Sequence, residues 1–295
     1  LAHARYQDDA YITLVYARNL LTGHGLSWNP GELIEGYSNF LFLMLVAGFG
    51  ALGMDLALAS ELINFIGYAG LIAAVSFFIR ARAKPFEASP QAYAHRVNAA
   101  LCIGLVASSA PILAWCFGGM EEVFFTFLLT AAICLVLHWL ENGIRDRTIF
   151  LTGMLFALSA MTRLEGALIW GVTGLFLGVL WLSGKRAHIT FRRLALLGLG
   201  FALFFGPYLL WRINYFGEWL PNTYYAKVYH IRADILYALG WRYVAEFFVT
   251  PPLSALCALV LLLYARPQRS PALLYLLAIT ATLLFHVVSV GGDHM

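Results

Sequence analysis

A helix that crosses a bilayer needs about 20 mostly apolar residues, because inside hydrocarbon every backbone polar group must be paired within its own segment. The sequence supplies eight candidates, at roughly 57–80, 97–115, 121–140, 148–162, 165–183, 193–213, 244–264 and 271–290. The 148–162 stretch is short for a full span and must tilt little, thin the bilayer or borrow from the residues after it. A further apolar run, Phe40 to Met54, lies between Gly36-Tyr37-Ser38-Asn39 and Asp55 and reads as a re-entrant or interfacial segment. Composition agrees. The chain is 61% hydrophobic and 12% charged, with a mean hydropathy of +0.75, whereas soluble domains carry about 25% charged residues. The predicted fold is an all-α polytopic membrane protein.

Assigning the loops alternately to two sides gathers 81–96, 141–147, 184–192 and 265–270 on one of them. With the helix ends included, that side holds 12 of the 19 Lys and Arg residues, and its only acids are Glu87, Glu141 and Asp146. Lys and Arg in short loops stay cytoplasmic during insertion, so this side is predicted to face inward and 1–56 and 214–243 outward. Anionic lipid head groups are sufficient partners for the basic rim, and nothing points to nucleic acid. Cys102, Cys116, Cys134 and Cys257 lie in or beside apolar helices without CxxC spacing, and His24, His230, His286 and His294 form no close pair, so packing cysteines and no structural zinc are expected.

Polar and aromatic residues collect in the outward segments, so an active site should open there. After Asp8 and Asp9, the residues Ile12, Val15, Tyr16 and Leu20 fall at helical spacing with Thr13, Arg18 and Asn19 on other faces, which suggests an amphipathic surface helix. An aspartate ahead of a helix is a natural N-cap, and a carboxylate at a helix N-terminus also stays ionised and able to accept a hydroxyl proton. One cap and one base is the preferred division of the two. Asn29-Pro30-Gly31 marks a turn in the loop that follows.

Several motifs carry a resemblance. Asp8-Asp9-Ala10-Tyr11-Ile12 with Tyr16-Ala17-Arg18-Asn19-Leu20, His24-Gly25-Leu26, Trp28-Asn29-Pro30-Gly31 and Glu35-Gly36-Tyr37-Ser38-Asn39 come first. Gly119-Met120-Glu121, Thr162-Arg163-Leu164-Glu165-Gly166, Leu220 to Lys227 and Gly291-Gly292-Asp293 follow, so that together they span nearly the whole chain. This order resembles the GT-C glycosyltransferase superfamily, in particular the family that includes the actinobacterial terminal arabinofuranosyltransferases. Leu164 stands where that pattern has proline, and Glu121 is doubled by Glu122. The resemblance implies a GT-C-like helix bundle with the amphipathic helix and the re-entrant segment in its first outer loop. It also implies that the 295 residues are the central part of a longer protein, with further helices or domains on either side.

For function, it implies transfer of a sugar, arabinofuranose-like as a first guess, from a polyprenyl-phosphate donor to a glycan or lipid acceptor. The reaction would take place on the outer face of the cell membrane. Inverting transfer needs a base, for which Asp8 and Asp9 are candidates, and cations that stabilise the phosphate leaving group, for which Lys227 and Arg163 are candidates. Substrate-binding roles fall to Glu121, Glu165, Asn222, Tyr224, Tyr225 and Asp293. Each has a plainer alternative. Lys227 could snorkel to head groups, Arg163 and Glu165 could pair with each other, Glu121 could answer a helix dipole, and Asp293 could simply follow a helix-ending Gly-Gly. Paired carboxylates also suit magnesium or manganese, so a divalent cation at Asp8 and Asp9 stays open as a cofactor. The rival class is a lipid or solute transporter or flippase, which predicts buried charges in helices and internal repeats.

Overall fold

The computed structural model describes residues 6–82, 100–101, 103–184, 186–219, 221–222, 225, 232–249 and 271–292. Its elements are α1 (Asp8–Leu21), α2 (Phe40–Ala51), α3 (Leu56–Arg82), α4 (Ala110–Cys116) and α5 (Glu122–Asn142), then α6 (Asp146–Thr162), α7 (Glu165–Leu182), α8 (Phe191–Phe216), α9 (Ala233–Val249) and α10 (Pro271–Ser289). No strand occurs among the described residues. Five helices are long and apolar enough to cross a bilayer: Leu56–Ala81, Glu122–Asn142, Glu165–Leu182, Phe191–Phe216 and Pro271–Ser289. The chain is therefore a polytopic helical membrane protein.

Helix α6 has 17 residues and remains the short one that its sequence predicts. The stretch expected to run unbroken over 97–115 is interrupted among its described residues at 108–109, before the seven-residue α4. The cause is Pro111, which has no N–H to give the carbonyl of Ala107 four residues earlier. The Tyr68 hydroxyl donates to that carbonyl instead, at 2.6 Å. The 244–264 candidate lies mostly outside the described residues. Its described beginning belongs to α9, which starts at Ala233 inside the segment expected to be a loop. Helix α2, with 12 residues, rises about 18 Å at 1.5 Å per residue and is too short to span.

The chain divides into two compact units, one of 1–167 with 190–219 and the other of 168–189 with 220–295. In the first, Ala17, Phe42, Val46, Ala47, Ala59 and Ile63 join α1, α2 and α3 in one buried cluster. The face that α1 buries differs from the one its apolar spacing predicts. It consists of Ala10, Thr13, Tyr16, Ala17 and Asn19, so two polar side chains point inward. Both have partners there, since Asn19 Nδ2 donates to the carbonyls of Ser27 and Trp28 at 2.8 and 2.9 Å, and Thr13 bonds Asn39.

Helices α6 and α8 meet backbone to backbone. A Cβ at Gly153 would run into the carbonyl of Leu197, and one at Gly200 into the carbonyl of Phe150. Lipid tails are as apolar as leucine, so helices in a bilayer associate through such close fit rather than by escaping water. Asp146 at the start of α6 meets Arg192 at 3.0 Å and Arg193 at 3.1 Å, drawing together residues of the predicted basic rim.

In the second unit, Gly240 of α9 lies against Val288 of α10, and Thr173 of α7 shares a 2.7 Å hydrogen bond with Tyr275. Gly291 and Gly292 both adopt positive φ, at 87° and 74°, and a Cβ on either would press on Leu236 or Tyr243. Here Gly-Gly both ends the helix and lets the chain approach α9 closely.

Candidate functional site

The first turn of α1 carries the paired aspartates. Gln7, with extended backbone, occupies the N-cap position, so the expectation that one of the two aspartates caps the helix is corrected. Both sit where the unsatisfied amides of the helix start favour negative charge. Asp8 is exposed and Asp9 half-buried. Among the described residues no group of three or more His, Cys, Asp or Glu side chains is arranged to hold a metal ion.

This turn is seated against the chain before α5. The Tyr6 hydroxyl lies 2.8 Å from Glu61 Oε1 and 3.1 Å from the carbonyl of Ala57, both at the start of α3. Burial and the bond to Glu61 push the Tyr6 phenol above its ordinary pKa, which keeps it a donor. Its ring rests on Gly119, where φ is +76° and a Cβ would collide with the ring. Ala10 approaches the same point.

Two residues beyond Gly119, a cluster of charges forms around Arg163, which stands between α6 and α7. Arg163 Nη1 is 3.4 Å from Glu121 Oε1 and 3.2 Å from Glu122 Oε1, and Nη2 is 3.2 Å from Glu165 Oε1. Burial opposes the charge on Arg163, but the three carboxylates outweigh it and hold the guanidinium above its ordinary pKa. Three acids against one base leave the cluster formally −2. The second oxygen of Glu121, whose side chain is buried, accepts from Asn39 Nδ2 at 2.7 Å. Asn39 Nδ2 also donates to Thr13 Oγ1 at 2.9 Å, one helical turn beyond Asp9. Asn64 on α3 donates to the carbonyl of Met120 at 2.6 Å.

A second polar assembly fastens the loop between α1 and α2. Arg212, in the last turns of α8, places Nε 2.9 and 2.8 Å from the two oxygens of Glu35 and Nη2 2.6 Å from Oε2, while Nη1 donates to the carbonyl of Trp219 at 2.8 Å. Glu35 and Arg212 are each only 3% exposed. Burial pushes the Glu35 carboxyl above its ordinary range, and Arg212 pulls the other way without cancelling the effect. The Tyr16 hydroxyl donates to the carbonyl of Ile34 at 2.6 Å and accepts from the amide of Gly36 at 2.9 Å. Tyr37 packs edge-on against Tyr16 and Phe216.

Of the residues singled out by sequence, Asp8, Asp9, Glu121, Glu165 and Arg163 belong to the first unit, and the last three meet in one cluster. Asn222 and Tyr225 are half-buried residues of the second unit. Tyr224, Lys227 and Asp293 lie outside the described residues. Sequence reasoning named Thr13, Asn39 and Glu35 without giving them a site role, and it missed Asn64 and Arg212, for the last of which a charged residue at the end of an apolar segment was the available signal.

With this geometry established, the chain is 27% identical over 335 aligned residues to a curated protein of Corynebacterium glutamicum, a terminal beta-(1->2)-arabinofuranosyltransferase. The alignment covers 98% of this chain, which spans 45% of the length of that relative. No family model matches the chain, and no solved structure matches it. It is thus a polytopic helical membrane protein distantly related to a glycosyltransferase.

Proposed function

We propose that this chain is the membrane core of a GT-C-type glycosyltransferase. It moves a sugar, arabinofuranose first among the candidates, from a polyprenyl-phosphate donor to a glycan or lipid acceptor of the cell envelope. The observation that carries this reading is the packing of Tyr6 and Ala10, which flank the paired aspartates, against Gly119, two residues before the Glu121–Arg163–Glu165 cluster, in a chain related to a sugar transferase over almost its entire length. A lipid-borne donor suits a membrane protein, because the tail stays in hydrocarbon while the head group reaches polar residues at the helix ends.

Asp8 or Asp9 takes the proton from the attacking acceptor hydroxyl, the sugar's anomeric carbon bonds to that oxygen, and the polyprenyl phosphate leaves with the bonding electrons. Arg163 is already shared by three carboxylates, so an approaching phosphate would meet net negative charge at the cluster. In this proposal Arg163 holds the carboxylates in place for hydroxyl groups of the substrates, with Glu121 and Glu165 as contacts. On the resemblance of their motifs alone, Lys227 is proposed for phosphate stabilisation and Asn222, Tyr224, Tyr225 and Asp293 for substrate contacts. The localisation is the cell membrane with the site on its outer face.

The test is sugar release from a panel of synthetic polyprenyl-phosphate sugars by the purified full-length enzyme in detergent, with Asp8→Asn and Asp9→Asn alongside. Turnover of one donor, reduced by about 10²-fold or more in one variant without loss of thermal stability, supports the reading. Near-wild-type turnover in both variants removes the aspartate base. No turnover with any donor moves the transporter reading ahead.

A further inference from the structure

Asn39 stands at the N-cap of α2, a position where asparagine ordinarily turns its side chain back onto the free amides of its own helix. It makes no such bond. Both amide hydrogens go elsewhere, one to Thr13 Oγ1 on the buried face of α1 and one to Glu121 Oε2. The orientation of the amide follows from chemistry, since the reverse would set Oδ1 against the carboxylate oxygen of Glu121 with no proton between them. Asn39 is 6% exposed, Thr13 3% and Glu121 3%, so water does not compete for these bonds. A side chain that forgoes the local cap to bridge a helix and a carboxylate 82 residues further along the chain is placed for more than starting α2.

We infer that Asn39 is a positioning residue for the proposed transfer, which this inference presupposes. It fixes Glu121 with respect to Thr13 of α1, one helical turn beyond Asp9. Glu121 is held on one oxygen by Asn39 and on the other by Arg163, which also gathers Glu122 and Glu165. Removing the bridge leaves that carboxylate tied on one side only, and helix α1 loses the side-chain link to it that runs through Thr13.

The test is Asn39→Asp beside Thr13→Val, each assayed for transfer and for thermal unfolding between pH 5.5 and 8. Asn39→Asp keeps the shape but faces Glu121 with a second carboxylate. The charged groups this contact reaches are Glu121 directly and, through Arg163, Glu122 and Glu165; on the neighbouring elements Asp9 stands one turn before Thr13 on α1 and Glu61 of α3 holds Tyr6. Two carboxylates in contact share a proton at the acid end and repel at the alkaline end. The expected result is a kcat of Asn39→Asp close to wild type at pH 5.5 that falls by about tenfold or more, relative to wild type, by pH 8. KM should move by less than about threefold, and Thr13→Val should lower kcat at every pH. A purely structural role would lower the melting temperature and leave the kcat profile of the folded fraction with wild-type shape, and that result overturns the inference. If wild-type enzyme turns over no donor, the proposed function fails first. The melting temperature of Asn39→Asp, falling with pH against wild type, still reads the bridge in that case, and a flat difference refutes it.

Discussion

Neutralising Glu35 isolates a buried cation. In Glu35→Gln the guanidinium of Arg212 keeps its bond to the carbonyl of Trp219 and at most one neutral bond to the new amide. It loses the charge that three contacts of 2.6 to 2.9 Å now supply. Breaking a buried ion pair by removing one partner costs about 3–5 kcal/mol, and the retained amide bond places this variant near the lower end, about 3 kcal/mol. The double variant Glu35→Gln with Arg212→Met contains no orphaned charge, and replacement of both partners of a buried pair is often nearly neutral. It should lie within about 2 kcal/mol of wild type, giving a coupling of at least about 1 kcal/mol, increased by whatever Arg212→Met alone costs. The assay is denaturant unfolding in mixed micelles followed by tryptophan fluorescence, with both single variants and the double on the same cycle. Single-variant losses below about 0.5 kcal/mol that simply add would show that the pair carries no such energy.

Gly200→Ala should destabilise by about 1–3 kcal/mol, because its methyl group meets the backbone of α6, while Gly198→Ala on the same helix meets nothing within 4 Å and should be neutral or slightly stabilising; unfolding of the two side by side decides it. Lys227→Ala should raise KM for the lipid-phosphate donor, and lower kcat with it, more than it changes acceptor dependence. Steady-state kinetics with each substrate varied in turn would show this, and a defect confined to the acceptor would count against the phosphate assignment.

The spanning helices were legible because about 20 apolar residues in a row leave the backbone few alternatives. The shortness of α6 and α2 was legible in the same way. Three features were not. Hydropathy alone ranks Ile12 and Val15 above Thr13 and Asn19 for the buried face of α1. Hydrogen bonds to Asn39 and to the loop carbonyls of Ser27 and Trp28 reverse that order. The break at 108–109 had its signal in Pro111, outweighed by the apolar residues on both sides. The charges around Arg163 could be named individually, and its pairing with Glu165 was among the alternatives. That Glu121 and Glu122 join them depends on α5 and α6 packing so that residues about 40 positions apart meet.

The inward-facing polar side of α1 has one further consequence. An amphipathic helix held by its greasy face rides with the lipid surface, rising and sinking as the membrane thickens, thins or curves. Helix α1 is moored instead to α2, α3 and the loop behind it, through Thr13, Tyr16, Ala17 and Asn19. Its place is set by protein contacts, so the first-turn aspartates should keep their height if the surrounding bilayer changes composition.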